Sequence, residues 1–134
     1  MGIREQSKRR SIFSYLKDQK SKFCSVQETY SDLNDENIWR NEWEGEIFFS
    51  HGTRHNKGVC ILIHPSVRDK VEFFFTDKLG KIVLITIVNN SLKLSLCNIY
   101  APNNQTEKLE FLQELNNCLI DQSEMITLIV LSRW

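Results

Sequence analysis

The chain has 134 residues, 41% hydrophobic and 25% charged, with a formal net charge of zero. One domain's worth of ordinary composition excludes a disordered or low-complexity chain, and a neutral total does not announce a nucleic-acid binder through its overall field. The longest apolar runs fall short of the roughly 18 residues a membrane span needs, so no membrane segment is expected.

The charge is unevenly placed. The first 22 residues carry Arg4, Lys8, Arg9, Arg10, Lys17, Lys20 and Lys22 against Glu5 and Asp18. Residues 28–46 carry Glu28, Asp32, Asp35, Glu36, Glu42, Glu44 and Glu46 against Arg40. The basic flank reads either as a solvated helix face or as a surface for phosphates. Ser7 is the candidate N-cap of a first helix running to about Lys20, with Ile12, Phe13 and Leu16 as its apolar stripe. Phe23 to Val26 predicts a short strand ending at the polar pair Gln27-Glu28. A second helix is expected from about Leu33, with Trp39 and Trp43 four apart on one face. Ile47 to Phe49 predicts a strand, followed by a polar loop from Ser50 to Gly58.

Strands then dominate. Val59 to Ile63 is apolar at every position and predicts burial on both faces. Val71 to Phe75, Ile82 to Val88 and Leu92 to Ile99 are rich in β-branched and aromatic residues. Asp77 to Gly80 is a turn signal, and Asn89-Asn90 suits a tight hairpin with positive φ. Connections this short predict an antiparallel meander. Asn104 with Glu107 resembles a capping box, opening a helix whose apolar stripe is Phe111, Leu112, Leu115, Cys118 and Leu119. Met125 to Leu131 predicts a last apolar strand. The sum is an α/β chain with a mixed, largely antiparallel sheet and helices covering one face.

Cys24, Cys60, Cys97 and Cys118 lie in apolar stretches without metal-ligand spacing and read as buried free thiols of a nuclear or cytoplasmic protein. No Gly-rich phosphate loop, nucleophile elbow or zinc motif occurs, and no small-molecule cofactor is expected. Glu28, at the polar end of a strand, reads either as a solvated glutamate or as a hard oxygen ligand for Mg²⁺. Tyr100 either caps the core with a wet hydroxyl or presents that hydroxyl to a phosphate oxygen. Asn98 and Asn103 either add hydrogen bonds to the same surface or shape the turn. His51 and His55, in one loop, lack partners for a zinc site, and Arg54 and Lys57 beside them suit a nucleic-acid backbone or an ordinary polar loop.

Three segments in order carry a resemblance: Val26-Gln27-Glu28-Thr29; Phe48-Phe49-Ser50-His51-Gly52-Thr53 followed by Gly58-Val59; and Asn98-Ile99-Tyr100-Ala101-Pro102-Asn103. They are similar to the endonuclease/exonuclease/phosphatase superfamily, in the version found in LINE-type (non-LTR) retrotransposon polyproteins that also carry a reverse transcriptase. The resemblance covers nearly the whole chain. It implies a four-layer α/β/β/α sandwich that cuts DNA phosphodiester bonds with Mg²⁺ or Mn²⁺. It places Glu28 on the family's metal-binding glutamate and Tyr100 on the tyrosine that hydrogen-bonds the scissile phosphate. The family's opening strand and active-site asparagine would precede Gly2. Where a Gly-Asp-Phe-Asn-type motif would follow Val130, the chain reads Leu131-Ser132-Arg133-Trp134, and a Ser-Asp-His-type motif is absent. The expectation is a fragment of a Mg²⁺-dependent endonuclease domain, inactive by itself because one carboxylate does not hold Mg²⁺ usefully. The alternative is a non-catalytic remnant that binds nucleic acid or a partner. A missing second sheet would also leave a sheet face bare, which predicts aggregation or partner-dependent stability.

Overall fold

The computed structural model describes residues 3–19, 22–52, 57–90, 92–101, 104–120 and 127–133. In chain order these form α1 (Gln6–Asp18), β1 (Phe23–Gln27), a 3₁₀ turn (Leu33–Asp35), α2 (Glu36–Trp43), β2 (Glu46–Ser50) and β3 (Val59–Ile63). A second 3₁₀ turn (Pro65–Lys70), β4 (Val71–Thr76), β5 (Ile82–Asn89), β6 (Leu92–Tyr100), α3 (Gln105–Ile120) and β7 (Thr127–Arg133) follow. No helix among the described residues is long and apolar enough to cross a membrane.

Two sheets result. One has the order β1-β3-β2 and is antiparallel throughout, while the other has the order β4-β5-β6-β7 with only the β6–β7 pair parallel. Residue parity sorts the core into three layers. Cys60 and Leu62 of β3 join Phe13 of α1 and Trp39 and Trp43 of α2 on the outer face of the first sheet. Val59, Ile61 and Ile63 of β3 face Val83, Ile85 and Ile87 of β5 between the sheets. Ile82 and Leu84 of β5 pack with Cys97, Ile99 and Phe111 of α3 on the outer face of the second sheet. The arrangement is α/β/β/α, as the resemblance implies.

This corrects the simpler expectation of one sheet covered on one face. Each sheet's inner face is covered by the other, so the bare face foreseen for the chain is absent among the described residues. The meander holds only for β4, β5 and β6. Pro65–Lys70 carries the chain from one sheet to the other, opened by His64, whose Nδ1 accepts from the Ser66 N–H at 3.1 Å. Smaller corrections concern the helix ends. Glu5 rather than Ser7 precedes α1, the Ser7 hydroxyl instead donating to Glu5 Oε1 at 2.7 Å, and the helix ends at Asp18. Leu112 lies on the outer side of α3, while the side chains of Cys118 and Leu119 fall outside the described residues, as do Met125 and Ile126. Asn104 does cap α3, its Oδ1 accepting from the Glu107 N–H at 3.1 Å, and Asn90 takes positive φ in the β5–β6 turn.

Candidate active-site rim

The registers Gln27↔Val59, Ser50↔Val59, Thr76↔Val83 and Ile82↔Ile99 bring the ends of β1, β2, β4 and β6 together with the starts of β3 and β5. The described residues of the loops leaving this end of the sandwich therefore lie close together. Glu28, Lys57 and Tyr100 all stand on this rim.

Two amides fasten the sheets just beneath it. Asn98, fully buried, donates through Nδ2 to Val26 O (3.1 Å) and Cys60 O (3.0 Å), so a β6 side chain binds the backbone of β1 and β3. Gln27 Nε2 donates to Asn98 Oδ1 (3.1 Å) and to Ile99 O (2.6 Å). Glu28 and Tyr100 are the next residues after Gln27 and Ile99, so this bond between sheets fixes the two backbones that carry them. Asn98 had been a candidate for nucleic-acid contact. The structure corrects this: its carboxamide is spent on backbone and a neighbouring amide inside the sandwich, with no surface to offer.

The loops are tied as closely. The N–H groups of Thr29 and Tyr30 donate to Gly58 O (3.1 Å) and Lys57 O (3.2 Å), and that of Gly58 donates to Gly80 O (3.2 Å). The Ser50 hydroxyl donates to Asp77 Oδ1 (2.5 Å) and accepts from the Gly80 N–H (2.8 Å). Asp77 Oδ1 also accepts from the N–H groups of Leu79, Lys81 and Ile82 at 3.1–3.3 Å. Gly80, at φ +80°, is needed where it stands: a Cβ there would lie 2.9 Å from Gly52 Cα and from Gly58 N. Glu28 and Tyr30 share φ 55° and Lys57 and Lys78 φ 64°, left-handed conformations that non-glycine residues rarely hold.

Glu28 and Tyr100 are both partly exposed; Tyr100 packs against the core between the sheets, and its N–H donates to Lys81 O at 2.8 Å. Lys57 is also partly exposed. Arg54, His55 and Asn103 lie outside the described residues. Sequence reasoning missed Ser31, Glu36 and Asp77 as rim components, and weighed His51 as a zinc ligand without finding its partners. His51 is held between Glu36 and Ser31 (2.6 and 2.8 Å) and stacks on Phe49 with ring centroids 4.8 Å apart. It borders an open recess of about 740 Å³ shared with Asp32, Leu33, Phe49 and Lys78. The signals in sequence were a histidine in a glycine-flanked loop and its place in the second of the three resembling segments.

The uneven charge resolves into pairing between the two segments. Arg9, buried, meets Glu42 through Nε and Nη2 (2.9 and 2.7 Å), and Arg10 meets the same carboxylate. Arg4 meets Asp32 and Asp35, and Lys17 meets Glu44. Much of the basic flank is thereby matched within the protein. Among the described residues, no group of three or more His, Cys, Asp or Glu side chains is arranged to hold a metal ion.

No protein-family model matches the chain. In sequence it is similar to the transposon TX1 uncharacterized 149 kDa protein of Xenopus laevis, 26% identical over 127 residues that make up 93% of this chain and 10% of that protein. In structure it is similar to an AP endonuclease from Archaeoglobus fulgidus, with TM-score 0.61 and 19% identity over 87% of this chain and 46% of that one. AP endonuclease LMAP from Leishmania major gives 0.57 and 12%, over 75% and 38%. TDP2 from C. elegans gives 0.57 and 12%, over 92% and 41%. The chain spans about a tenth of the transposon protein and less than half of each of these three structures. The chain is therefore similar to part of a transposon-encoded protein and shares the fold of these AP endonuclease and TDP2 structures.

Proposed function

We propose that the chain is part of a DNA endonuclease domain of retrotransposon origin, that its rim supplies two groups of a phosphodiester-cleaving site, and that these 134 residues do not cleave DNA by themselves. Glu28 is the carboxylate offered to a divalent metal. Tyr100 is the hydroxyl donor to the phosphate. Lys57, together with Arg54 and Asn103, contributes contacts to the DNA backbone. The protein works in the nucleus or cytoplasm.

One observation carries this reading. Glu28 and Tyr100, far apart in sequence, stand directly after the two residues joined by the 2.6 Å bond from Gln27 to Ile99 O. The transposon homologue and the fold of the AP endonucleases support it.

Mg²⁺ takes near-octahedral oxygen ligation. The described residues bring Glu28 without the further metal-binding side chains that a cluster would need, so they do not fit a Mg²⁺ or Mn²⁺ site alone, and no catalytic step follows from them. What the chain's own residues do is orient: Asn98 and Gln27 hold the two sheets in register, and the loop ties fix the backbone on which Glu28 is carried. The alternative of a remnant that binds nucleic acid through its basic first helix with Arg54 and Lys57 is weakened on the helix side, because Arg4, Arg9, Arg10 and Lys17 are matched by acidic partners.

The test combines plasmid nicking with NMR. In Mg²⁺ the chain leaves supercoiled plasmid intact, while a short DNA duplex shifts the amide resonances of residues 28–31, 57–58 and 100–101, less so as salt rises. Nicking that disappears in Glu28→Ala would overturn the inactivity. Duplex-induced shifts confined to surfaces away from these residues would overturn the rim as the DNA-facing site.

A further inference from the structure

We infer that His51 is a positioning residue: clamped between Glu36 of α2 and Ser31, it locks the segment that carries Glu28. The inference rests on the reading of Glu28 as the site's carboxylate.

The contacts form a continuous chain. Glu36 Oε2 lies 2.6 Å from His51 Nε2, and His51 Nδ1 lies 2.8 Å from Ser31 Oγ, which in turn lies 2.9 Å from Thr29 Oγ1. Their chemistry gives the chain a direction. The Glu36 carboxylate also accepts from Arg40 Nη1 at 2.9 Å and has only lone pairs to offer. His51 must therefore place a proton on Nε2. In the neutral ring Nδ1 then accepts the Ser31 hydroxyl, and Ser31 Oγ accepts from Thr29. Stacking on Phe49, at 26° between the planes, fixes the orientation of the imidazole.

The segment needs such a clamp. Glu28 and Tyr30 both sit at φ 55°, and non-glycine residues keep that conformation only where their surroundings over-determine it. The N–H groups of Thr29 and Tyr30 supply two backbone ties, to Gly58 O and Lys57 O. Arg4 Nη1 donates to Tyr30 O at 3.0 Å, and the side-chain relay anchors Thr29 and Ser31 to the first turn of α2. Thr29 and Ser31 are fully buried. An acid–imidazole–hydroxyl series of this kind activates serine nucleophiles in hydrolases. Here the hydroxyl at its end is closed off from any substrate, so the series can only orient.

Amide hydrogen exchange on the 134-residue chain tests this, with the β3 amide of Ile61 as the reference for global opening. His51→Ala is expected to lower the protection of the Thr29 and Tyr30 amides about tenfold relative to Ile61, the loss that follows from removing one buried hydrogen-bonded link. His51→Gln, whose amide bonds both neighbours, restores most of it. In the wild-type protein the ¹⁵N shifts of the His51 ring report the Nε2–H tautomer. Ser31→Ala, which breaks the relay without touching α2, reproduces the local loss. Thr29 and Tyr30 protection unchanged in His51→Ala, or reduced only in step with Ile61, would overturn the inference. None of these readings needs DNA or metal, so the inference can fail while the rim still meets DNA, and can hold where it does not.

Discussion

Replacing Asn98 separates a residue that joins the sheets from one that touches DNA. Asn98→Ala removes two bonds donated to Val26 O and Cys60 O and the one accepted from Gln27, all inside the sandwich. At about 1 kcal/mol for each bond, with part of a further unit for carbonyls left facing a void, the loss is about 3–4 kcal/mol. A domain of this size holds only about 5–15 kcal/mol in total. With a urea slope of about 2 kcal/mol/M, the unfolding midpoint should fall by nearly ~2 M. Gln27→Ala, which removes the bonds to Ile99 O and Asn98 Oδ1 at a partly exposed position, should cost about half as much. The assay is equilibrium urea unfolding followed by tryptophan fluorescence, with Trp39 and Trp43 buried as reporters. A midpoint unchanged in Asn98→Ala, together with lost DNA-induced shifts, would refute the tie and return Asn98 to the nucleic-acid surface.

Other expectations follow from the same contacts. Gly80→Ala should destabilise by roughly 2–3 kcal/mol, because the residue holds φ +80° and its Cβ would meet Gly52 and Gly58 backbone; urea unfolding with wild-type stability would show that the loops yield. Glu42→Ala leaves the buried Arg9 guanidinium without its carboxylate and should cost about 3–5 kcal/mol. Arg9→Met combined with Glu42→Leu should recover much of that loss in the melting temperature. Burial, and then the Asp77 carboxylate, raise the pKa of Glu114, with Lys81 opposing. A raised carboxyl pKa favours the neutral form in the fold, so its contribution is complete below the ordinary value of 4.5 and is lost as pH rises through the folded value. Glu114→Gln should therefore raise the melting temperature slightly at pH 7, with the gain vanishing on acidification; a gain independent of pH would contradict the sign.

Legibility in the sequence followed the reach of each signal. β3 and β5 are apolar at both parities, and both are buried on both faces, because parity alone reports how many sides of a strand are covered. Parity does not report which sheet a doubly buried strand joins. The link between β3 and β4 is short enough to pass for a hairpin loop, yet Pro65–Lys70 winds as a 3₁₀ turn and delivers the chain to the opposite sheet. The resemblance supplied the second sheet where periodicity could not. At the site the same limit appears in side chains. An asparagine in a strand reads alike whether its amide faces a phosphate or two carbonyls of another sheet. His51 finds its partners 15 and 20 positions away, and no local pattern encodes that meeting. The charged segments show the converse: each was visible, and only the packing of α1 on α2 turned two opposite runs into pairs.

Backbone strain singles out the rim without any appeal to resemblance. Of the eight described residues at positive φ, Glu44 ends α2 and Asn90 turns a hairpin, where such angles are routine. The other six, Glu28, Tyr30, Lys57, Gly58, Lys78 and Gly80, belong to three loops at one end of the sandwich. A strained loop persists only if neighbours hold it, and here the neighbours are the other strained loops: Thr29 and Tyr30 on Gly58 and Lys57, Gly58 on Gly80, Gly80 on Ser50. Because each loop is the restraint on the next, loosening one should release the set. Gly80→Ala should then lower amide protection at Thr29 and Tyr30 as well as at Gly58, transmitted through the Lys57–Gly58 loop that bonds to both. Protection lost at Gly58 alone would mean that the loops are independent, and that the strain at Glu28 is sustained by His51 and Ser31 without help from the second sheet.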